Sequence, residues 1–274
     1  MLEVLKALLL GVVQGITEWL PISSTGHLLL LDELISLSMG PKGKELFMVI
    51  IQLASILAVI ILYFTLLNPF SCKKDTTEKK DTWRLWAKVF VATIPAGIAG
   101  VLLDDLMDTY LYKWQVIVIA LAVYGLIYVV VEKKGRGSRE PRITSLDALT
   151  FKDAAAMGAF QMLALVPGTS RSGSTILGGI FFGIERSVAA QFSFFMAIPV
   201  MAGASLLKLL KLGFSYTRSE YLLIGVAFVA SFLVSLVCIK GLVAYVRKHD
   251  FSIFGFYRIA LAVVVTIYFL STGR

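Results

Sequence analysis

Residues 2–31 read LEVLKALLLGVVQGITEWLPISSTGHLLLL, and the reading of this stretch decides the fold. The apolar run Leu2–Leu20 stops at Pro21 and the polar cluster Ser23-Ser24-Thr25-Gly26-His27, then resumes as Leu28–Leu31. Residues 154–182, AAAMGAFQMLALVPGTSRSGSTILGGIFF, repeat the pattern. There Ala154–Val166 stops at Pro167 and Gly168-Thr169-Ser170-Arg171-Ser172-Gly173-Ser174-Thr175, and Ile176–Phe182 returns. Irregular backbone at membrane depth survives only where protein buries it or water reaches it. Each stretch therefore reads as a re-entrant helical hairpin. The alternative is a pair of interfacial helices joined by a surface loop, but Leu8–Val13 and Ala154–Val166 are too uniformly apolar for that.

The rest of the chain supplies the membrane. Of 274 residues, 58% are apolar and 16% charged, with a mean hydropathy of +0.83. Soluble domains carry about 25% charged residues, and a soluble chain of this size has too little interior for so much apolar surface. Disorder, collagen and a disulfide scaffold are excluded by the same composition. The net charge of +8 reads as the basic excess of cytoplasmic loops rather than as nucleic-acid binding. Cys72 and Cys238 form neither a metal spacing nor a disulfide framework. Gln14 and Glu18 follow Leu8–Val13 where a small-residue cleavage site would stand, so no cleavable signal peptide is expected.

Crossing a bilayer as a helix takes about 20 apolar residues. Six runs qualify: Leu46–Leu67, Ala87–Leu103, Trp114–Val131, Ser187–Leu207, Tyr221–Val237 and Ile253–Leu270. Ser71–Lys88 and Glu132–Lys152 hold six basic residues each, whereas the intervening Asp104-Asp105-Leu106-Met107-Asp108 loop is acidic, with only Lys113. The positive-inside bias puts both basic segments in the cytoplasm. Propagated along the chain, it leaves 15 Lys and Arg inside, 8 outside and 3 within membrane segments (Arg171, Arg186 and Arg258), with both termini outside. The first hairpin then enters from outside and the second from inside. Gly11-Val12-Val13-Gln14 ahead of Pro21-Ile22-Ser23-Ser24 also echoes Gly158-Ala159-Phe160-Gln161 ahead of Pro167-Gly168-Thr169-Ser170, with a one-residue difference in length. The expected fold is an all-α integral membrane protein of six transmembrane helices plus two re-entrant hairpins. It is organised as an inverted-topology repeat: residues 1–135, a basic cytoplasmic linker at 136–152, and residues 153–274. Such folds place their site at the midplane, where broken helices meet.

Gln14 and Glu18 share one helical face, and an ionisable group in an apolar segment is a functional candidate by default. Ser23, Ser24, Thr25 and His27 follow within nine residues of Glu18; His249, the other histidine, lies in a basic loop and is given no role. The second cluster has the make-up of an anion cradle. Gly168 and Gly173 let the backbone approach, Thr169, Ser170, Ser172 and Thr175 donate, and a helix N-terminus near Ser174 or Thr175 adds its dipole. Arg171 supplies a planar fork for phosphate oxygens. It is not a P-loop. Buried in a membrane, Arg171 needs Glu18 or an anionic ligand beside it, and a purely structural Arg171–Glu18 pair is the plainer alternative. Juxtaposed, the two breaks offer carboxylate, imidazole, hydroxyls and guanidinium, a set suited to phosphoryl transfer to water or to a serine. Gln14, Glu18 and phosphate oxygens form an oxygen-only shell suited to Mg²⁺ or Ca²⁺. Apolar walls open to lipid suit a substrate with a long hydrocarbon tail. A flippase or anion transporter shares the architecture, but carriage needs no Glu–Ser–His set. A non-catalytic scaffold leaves the burial of Glu18, His27 and Arg171 unexplained.

Gln14-Gly15-Ile16-Thr17-Glu18-Trp19-Leu20-Pro21-Ile22-Ser23-Ser24-Thr25-Gly26-His27 and Pro167-Gly168-Thr169-Ser170-Arg171-Ser172-Gly173 resemble the two signature motifs of the bacterial undecaprenyl-diphosphate phosphatase, or bacitracin-resistance, family. The resemblance runs the length of the chain. It implies a plasma-membrane enzyme that removes the terminal phosphate of a C55 isoprenyl diphosphate, yielding the monophosphate carrier for peptidoglycan synthesis. It also implies dependence on a divalent cation, Mg²⁺ or Ca²⁺, and a site open to the outer face. The family's E/Q-x-x-x-E motif falls on Gln14 and Glu18 as metal ligands, and the glutamine removes a charge that other members supply. Its serine and histidine fall on Ser24 and His27, and its arginine on Arg171, flanked by Ser170 and Ser172. The implied roles are Ser24 as nucleophile, with direct attack by water as the rival, and His27 as general acid/base. Glu18 is a metal ligand or base, and Arg171 the phosphate clamp. Ser23, Thr25, Gly168, Thr169, Ser170, Ser172, Gly173 and Thr175 are expected around the substrate. The expected partners are the polyprenyl diphosphate lipid and the membrane, not nucleic acid; whether the chain forms a homo-oligomer is left open.

Overall fold

The computed structural model describes residues 1–134, 139–213 and 215–273. Residues 135–138 of the expected linker region, and the side chains of Asp104, Asp105 and Asp108, lie outside the described residues. Among the described residues no strand forms; Ile143 and Ile184 make one isolated bridge.

Both polar breaks separate short helices. The first lies between α1 (Leu2–Thr17) and α2 (Ser24–Ile35). The second lies between α7 (Phe151–Met162), extended by a 3-10 turn at Leu163–Leu165, and α8 (Arg171–Phe181). These arms hold 16, 12, 12 and 11 residues. At about 1.5 Å per residue, none reaches across a hydrocarbon core of about 30 Å. Six other helices are long and apolar enough: α3 (Pro41–Leu62), α5 (Thr76–Tyr110), α6 (Trp114–Lys134), α9 (Arg186–Leu212), α10 (Arg218–Val246) and α11 (Ser252–Thr272). A single turn, α4 (Phe64–Leu67), follows α3.

The ends of α3 and α5 differ from the apolar runs for local reasons. Helix α3 starts at Pro41, whose fixed φ suits a first turn, and ends at Leu62, so Leu46–Leu67 is a helix and a separate turn. Helix α5 starts well before Ala87 because Asp75 and Glu78 close a capping box. It then continues to Tyr110 through the segment expected to be an acidic loop, with Met107 buried and Leu102 and Leu106 facing outward.

Each hairpin lies against a long helix of the other half, α1 on α10 and α7 on α5. Two glycines permit this. A Cβ on Gly11 would stand 2.4 Å from the Ala227 carbonyl oxygen, and one on Gly158 would stand 2.4 Å from that of Ala92. Backbones touching through small residues are how membrane helices associate when the solvent is itself apolar. Buried hydroxyls add to the α3–α10 contact: Ser55 Oγ lies 3.0 Å from Ser231 Oγ and 3.1 Å from Ser235 Oγ. Such interhelical bonds contribute about 0.6 kcal/mol each. The outward stripe of Phe90, Ile94, Ile98 and Leu102 on α5 is the face that hydrocarbon covers.

Candidate active site

The two hairpins turn by one device. Among the described residues, Ser23 and Ser170 are the only non-glycines with positive φ, +71° in each. Each caps the helix that follows: Ser23 Oγ accepts the Gly26 N–H at 3.4 Å, and Ser170 Oγ accepts the Gly173 N–H at 3.1 Å. Four residues on, a side chain covers the carbonyl of the cap. His27 Nδ1–H donates to Ser23 O at 2.7 Å, and Ser174 Oγ donates to Ser170 O at 2.9 Å. A left-handed serine costs of order 1–3 kcal/mol, and these paired bonds hold it there. The matching positions are 147 residues apart, as are Gly11 and Gly158, and Gln14 and Gln161. The one-residue length difference read from the prolines is therefore a false register: Ser23, not Ser24, matches Ser170.

In this register Ser24 and Arg171 are equivalent, the first residues of α2 and α8, and both line one cavity of about 220 Å³. Glu18, at the end of α1, joins them. Its Oε1 accepts from Arg171 Nη2 at 3.0 Å, and its Oε2 accepts from Gln14 Nε2 at 3.0 Å and Ser24 Oγ at 3.2 Å. Arg171 Nη1 donates to the Ser193 carbonyl at 3.0 Å, and the guanidinium lies 5.3 Å from the Trp19 ring. The Arg171 and Glu18 side chains are 12% and 7% exposed, so the pair is sheltered from screening. Thr25, Gly168, Ser170, Gln52, Gln161 and Tyr112 add to the polar wall; Leu165, Val200 and Met201 are on the apolar one. The first turns of α2 and α8 both meet the cavity, adding the positive ends of two helix dipoles. The volume is below the roughly 300 Å³ of pockets that enclose drug-sized ligands. It is large enough for a group the size of a phosphate.

His27 does not line this cavity. Its ring stacks on Tyr257, with centroids 5.6 Å apart, and its Nε2 lies 2.7 Å from the Tyr257 hydroxyl. A carbonyl can only accept, so Nδ1 carries a proton, and in the neutral ring Nε2 receives the Tyr257 O–H. Both nitrogens are committed. This differs from the expected gathering of imidazole with carboxylate, hydroxyls and guanidinium in one site, and the reason is local: the bared Ser23 carbonyl, four residues back, captures Nδ1–H.

Several residues expected around the substrate are instead committed to packing contacts, Ser172 between the hairpins and the others against α6, α9 or their own turns. Ser172 Oγ donates to the Glu18 and Leu20 carbonyls at 3.2 and 3.3 Å. Thr175 Oγ1 donates to the Arg171 carbonyl at 2.9 Å and meets Ser193 Oγ at 2.6 Å. The Gly173 carbonyl accepts from Tyr128 Oη at 2.7 Å. Ser23 and Thr169 are buried with them. Gln14 is fully buried behind Glu18, and its Oε1 has no hydrogen-bond partner.

Arg258 was not singled out by the sequence reading, yet it joins the two turns. It is 0% exposed, with no carboxylate partner among the described residues. Its Nη1 donates to the Pro21 and Thr169 carbonyls at 3.2 and 2.9 Å, and its Nη2 to the Gly168 carbonyl at 2.9 Å. An arginine inside Ile253–Leu270 was the available signal.

Gln14 Oε1 is an orphaned buried oxygen beside a carboxylate, which suits a hard ion. Among the described residues no three His, Cys, Asp or Glu side chains come together. An ion there would need further oxygens from outside the protein.

The bacitracin resistance protein BacA family matches residues 7–264. "Undecaprenyl-diphosphatase 1" of Clostridioides difficile is 51% identical over 98% of this chain and 97% of its own length. "Undecaprenyl-diphosphatase" of Desulfitobacterium hafniense is 48% identical over 98% and 97%, and that of Enterococcus faecalis 49% identical over 97% of each. With nearly its whole length matched, the chain belongs to the BacA bacitracin resistance protein family.

Proposed function

We propose that this chain removes the terminal phosphate of undecaprenyl diphosphate, recycling the monophosphate lipid carrier for peptidoglycan synthesis, at the cavity between the two hairpins. The names of its relatives agree with the reaction. The observation that carries the site is Glu18 held between Arg171 and Ser24. A serine hydroxyl donating to a carboxylate is a nucleophile–base pair, and a guanidinium beside it is a phosphate clamp. A lipid carrier alone would need no hydroxyl on that carboxylate.

The entering phosphoryl oxygens take up the Arg171 donors, and Glu18, released from the guanidinium, receives the Ser24 proton. Ser24 Oγ attacks the terminal phosphorus. The Oγ–P bond forms, the bond from that phosphorus to the bridging oxygen breaks, and its electron pair leaves with the lipid monophosphate. Glu18 passes that proton to the departing monophosphate and then takes one from the water that attacks the phosphoserine. The P–Oγ bond breaks with its electron pair on Oγ, Glu18 returns the proton to Ser24, and inorganic phosphate departs. The cavity-facing helix ends and Arg171 stabilise the phosphoryl charge in both steps. His27 acts by holding the Ser23 carbonyl, and through it the direction of Ser24. Gln14 and Glu18 would hold a divalent Mg²⁺ or Ca²⁺, which when bound neutralises diphosphate charge.

The halves at residues 1–135 and 153–274, joined by 136–152, form an inverted repeat whose hairpins enter from opposite leaflets. The matched turns at Ser23 and Ser170 and the matched glycines support that reading. The site opens on the extracytoplasmic face of the bacterial plasma membrane. Support comes from Tyr112 in the cavity wall, which follows α5 on the side assigned outside. Gln52 adds more, since it also lines a neighbouring cavity of about 290 Å³ with Lys44 and Lys208, both assigned outside.

The test is phosphate release from farnesyl or undecaprenyl diphosphate by the purified protein in detergent, with and without chelator. Release that falls with chelator and returns with Mg²⁺ or Ca²⁺ is expected. A folded protein that releases no phosphate under either cation overturns the reading.

A further inference from the structure

Gln161 stands in the second half where Gln14 stands in the first, but its surroundings differ. Gln14 Nε2 is bound by Glu18, whereas the position equivalent to Glu18 is Leu165, which offers Gln161 no acceptor. Gln161 lies one turn beyond Gly158, whose contact with Ala92 presses α7 against α5. Its side chain is 1% exposed and lines the cavity with Glu18, Ser24 and Arg171. Neither its Nε2 nor its Oε1 has a hydrogen-bond partner. Arg171 Nε is buried and unpartnered as well. An apolar side chain of the same length would fill this space without an orphaned amide, and a buried polar group left unpaired at both ends calls for a ligand.

We propose that Gln161 contacts the substrate: Nε2 donates to an oxygen of the terminal phosphoryl group, and Oε1 accepts from the water that hydrolyses the phosphoserine. The inference rests on the phosphatase reading above. A phosphoryl group brings acceptors and a water brings donors, and a carboxamide offers one group for each from a single point. Holding the attacking water is a recurrent task of glutamine in phosphoryl transfer.

The test compares wild type with Gln161→Met, matched in length, and Gln161→Ala, which adds no bulk. The readouts are phosphate release from farnesyl diphosphate, inhibition by inorganic phosphate, the thermal unfolding midpoint, and acid-trapped ³²P on the protein from terminally labelled substrate. Turnover is expected to fall about 10²- to 10³-fold, with weaker inhibition by phosphate and more trapped label than in wild type. The midpoint of Gln161→Met is expected to stay level or rise, because an orphaned polar group has been removed. A packing role gives the reverse, a lower midpoint with turnover and phosphate inhibition intact, and overturns the inference. So do both variants with wild-type turnover and inhibition; an active wild type and an inactive Arg171→Ala beside them leave the phosphatase reading standing. A wild type that releases no phosphate overturns both.

Discussion

Replacing Arg171 with methionine separates two tasks of one guanidinium. At rest it compensates Glu18 at 3.0 Å, with both side chains largely buried. Removing one partner of a buried pair costs about 3–5 kcal/mol, because the other charge is left uncompensated. During reaction it clamps the phosphoryl group, a role for which arginine contributes about 10³- to 10⁵-fold. At about 1.36 kcal/mol per tenfold, that is roughly 4–7 kcal/mol of transition-state stabilisation. Arg171→Met is therefore expected to unfold at lower temperature and to release phosphate at least about 10³-fold more slowly. The double variant Glu18→Gln/Arg171→Met buries no charge and is expected to recover most of the lost midpoint while staying inactive. Arg171→Lys keeps the charge but cannot reach both Glu18 and the Ser193 carbonyl as a fork does, so it is expected to fall between. The assay is phosphate release in detergent beside thermal unfolding of the same preparation. Folded Arg171→Met with more than about a tenth of wild-type turnover refutes the clamp. A double variant that regains activity with its midpoint refutes a catalytic use of the pair.

Ser24→Ala is expected to lose about 10³-fold or more in turnover and all acid-trapped label; a near-normal rate assigns the attack to water instead. Arg258→Met strips donors from the Pro21, Gly168 and Thr169 carbonyls. It is expected to raise KM for the diphosphate and lower kcat by letting the hairpin turns part, and unchanged kinetics at a lowered midpoint would confine Arg258 to stability. With Cys72 and Cys238 replaced, single cysteines introduced at Tyr112 and Lys80 are expected to label from opposite sides of the membrane. Labelling from one side contradicts the charge-derived topology.

Much of the architecture was legible because a membrane leaves few options. An unpaired backbone group in hydrocarbon is too unfavourable to persist, so each long apolar run had to be a helix and each polar interruption had to be sheltered. The ends of those helices were less legible. Hydropathy sees the apolar run, while the start of α5 is set by the polar capping box of Asp75 and Glu78, and the end of α3 by a change of backbone direction at Tyr63. Glu18, Ser24 and Arg171 stood out because ionisable and hydroxyl groups are conspicuous amid leucines, and they do share one cavity. His27 stood out equally, and its ring turns to Tyr257. Nothing in its neighbours in sequence announces that, because a carbonyl bared by a positive φ competes for its Nδ1–H.

By itself, then, the order of amino acids determined that the chain lives in a bilayer, where its helices are interrupted and which uncommon polar residues stand at the interruptions. Those are consequences of local composition, and solvation by hydrocarbon makes them nearly obligatory. Which polar residues meet was decided only in three dimensions. Arg258 gathering carbonyls from both turns, Ser172 stitching one hairpin to the other and Gln161 arriving at the cavity without a partner each depend on separate helices approaching closely, α11 on α6 at Gly125 and Gly255 and the hairpins on their neighbours at Gly11 and Gly158. Hydrogen bonds reach about 3 Å, so a contact of this kind exists or fails on the placement of whole helices, which no local pattern encodes.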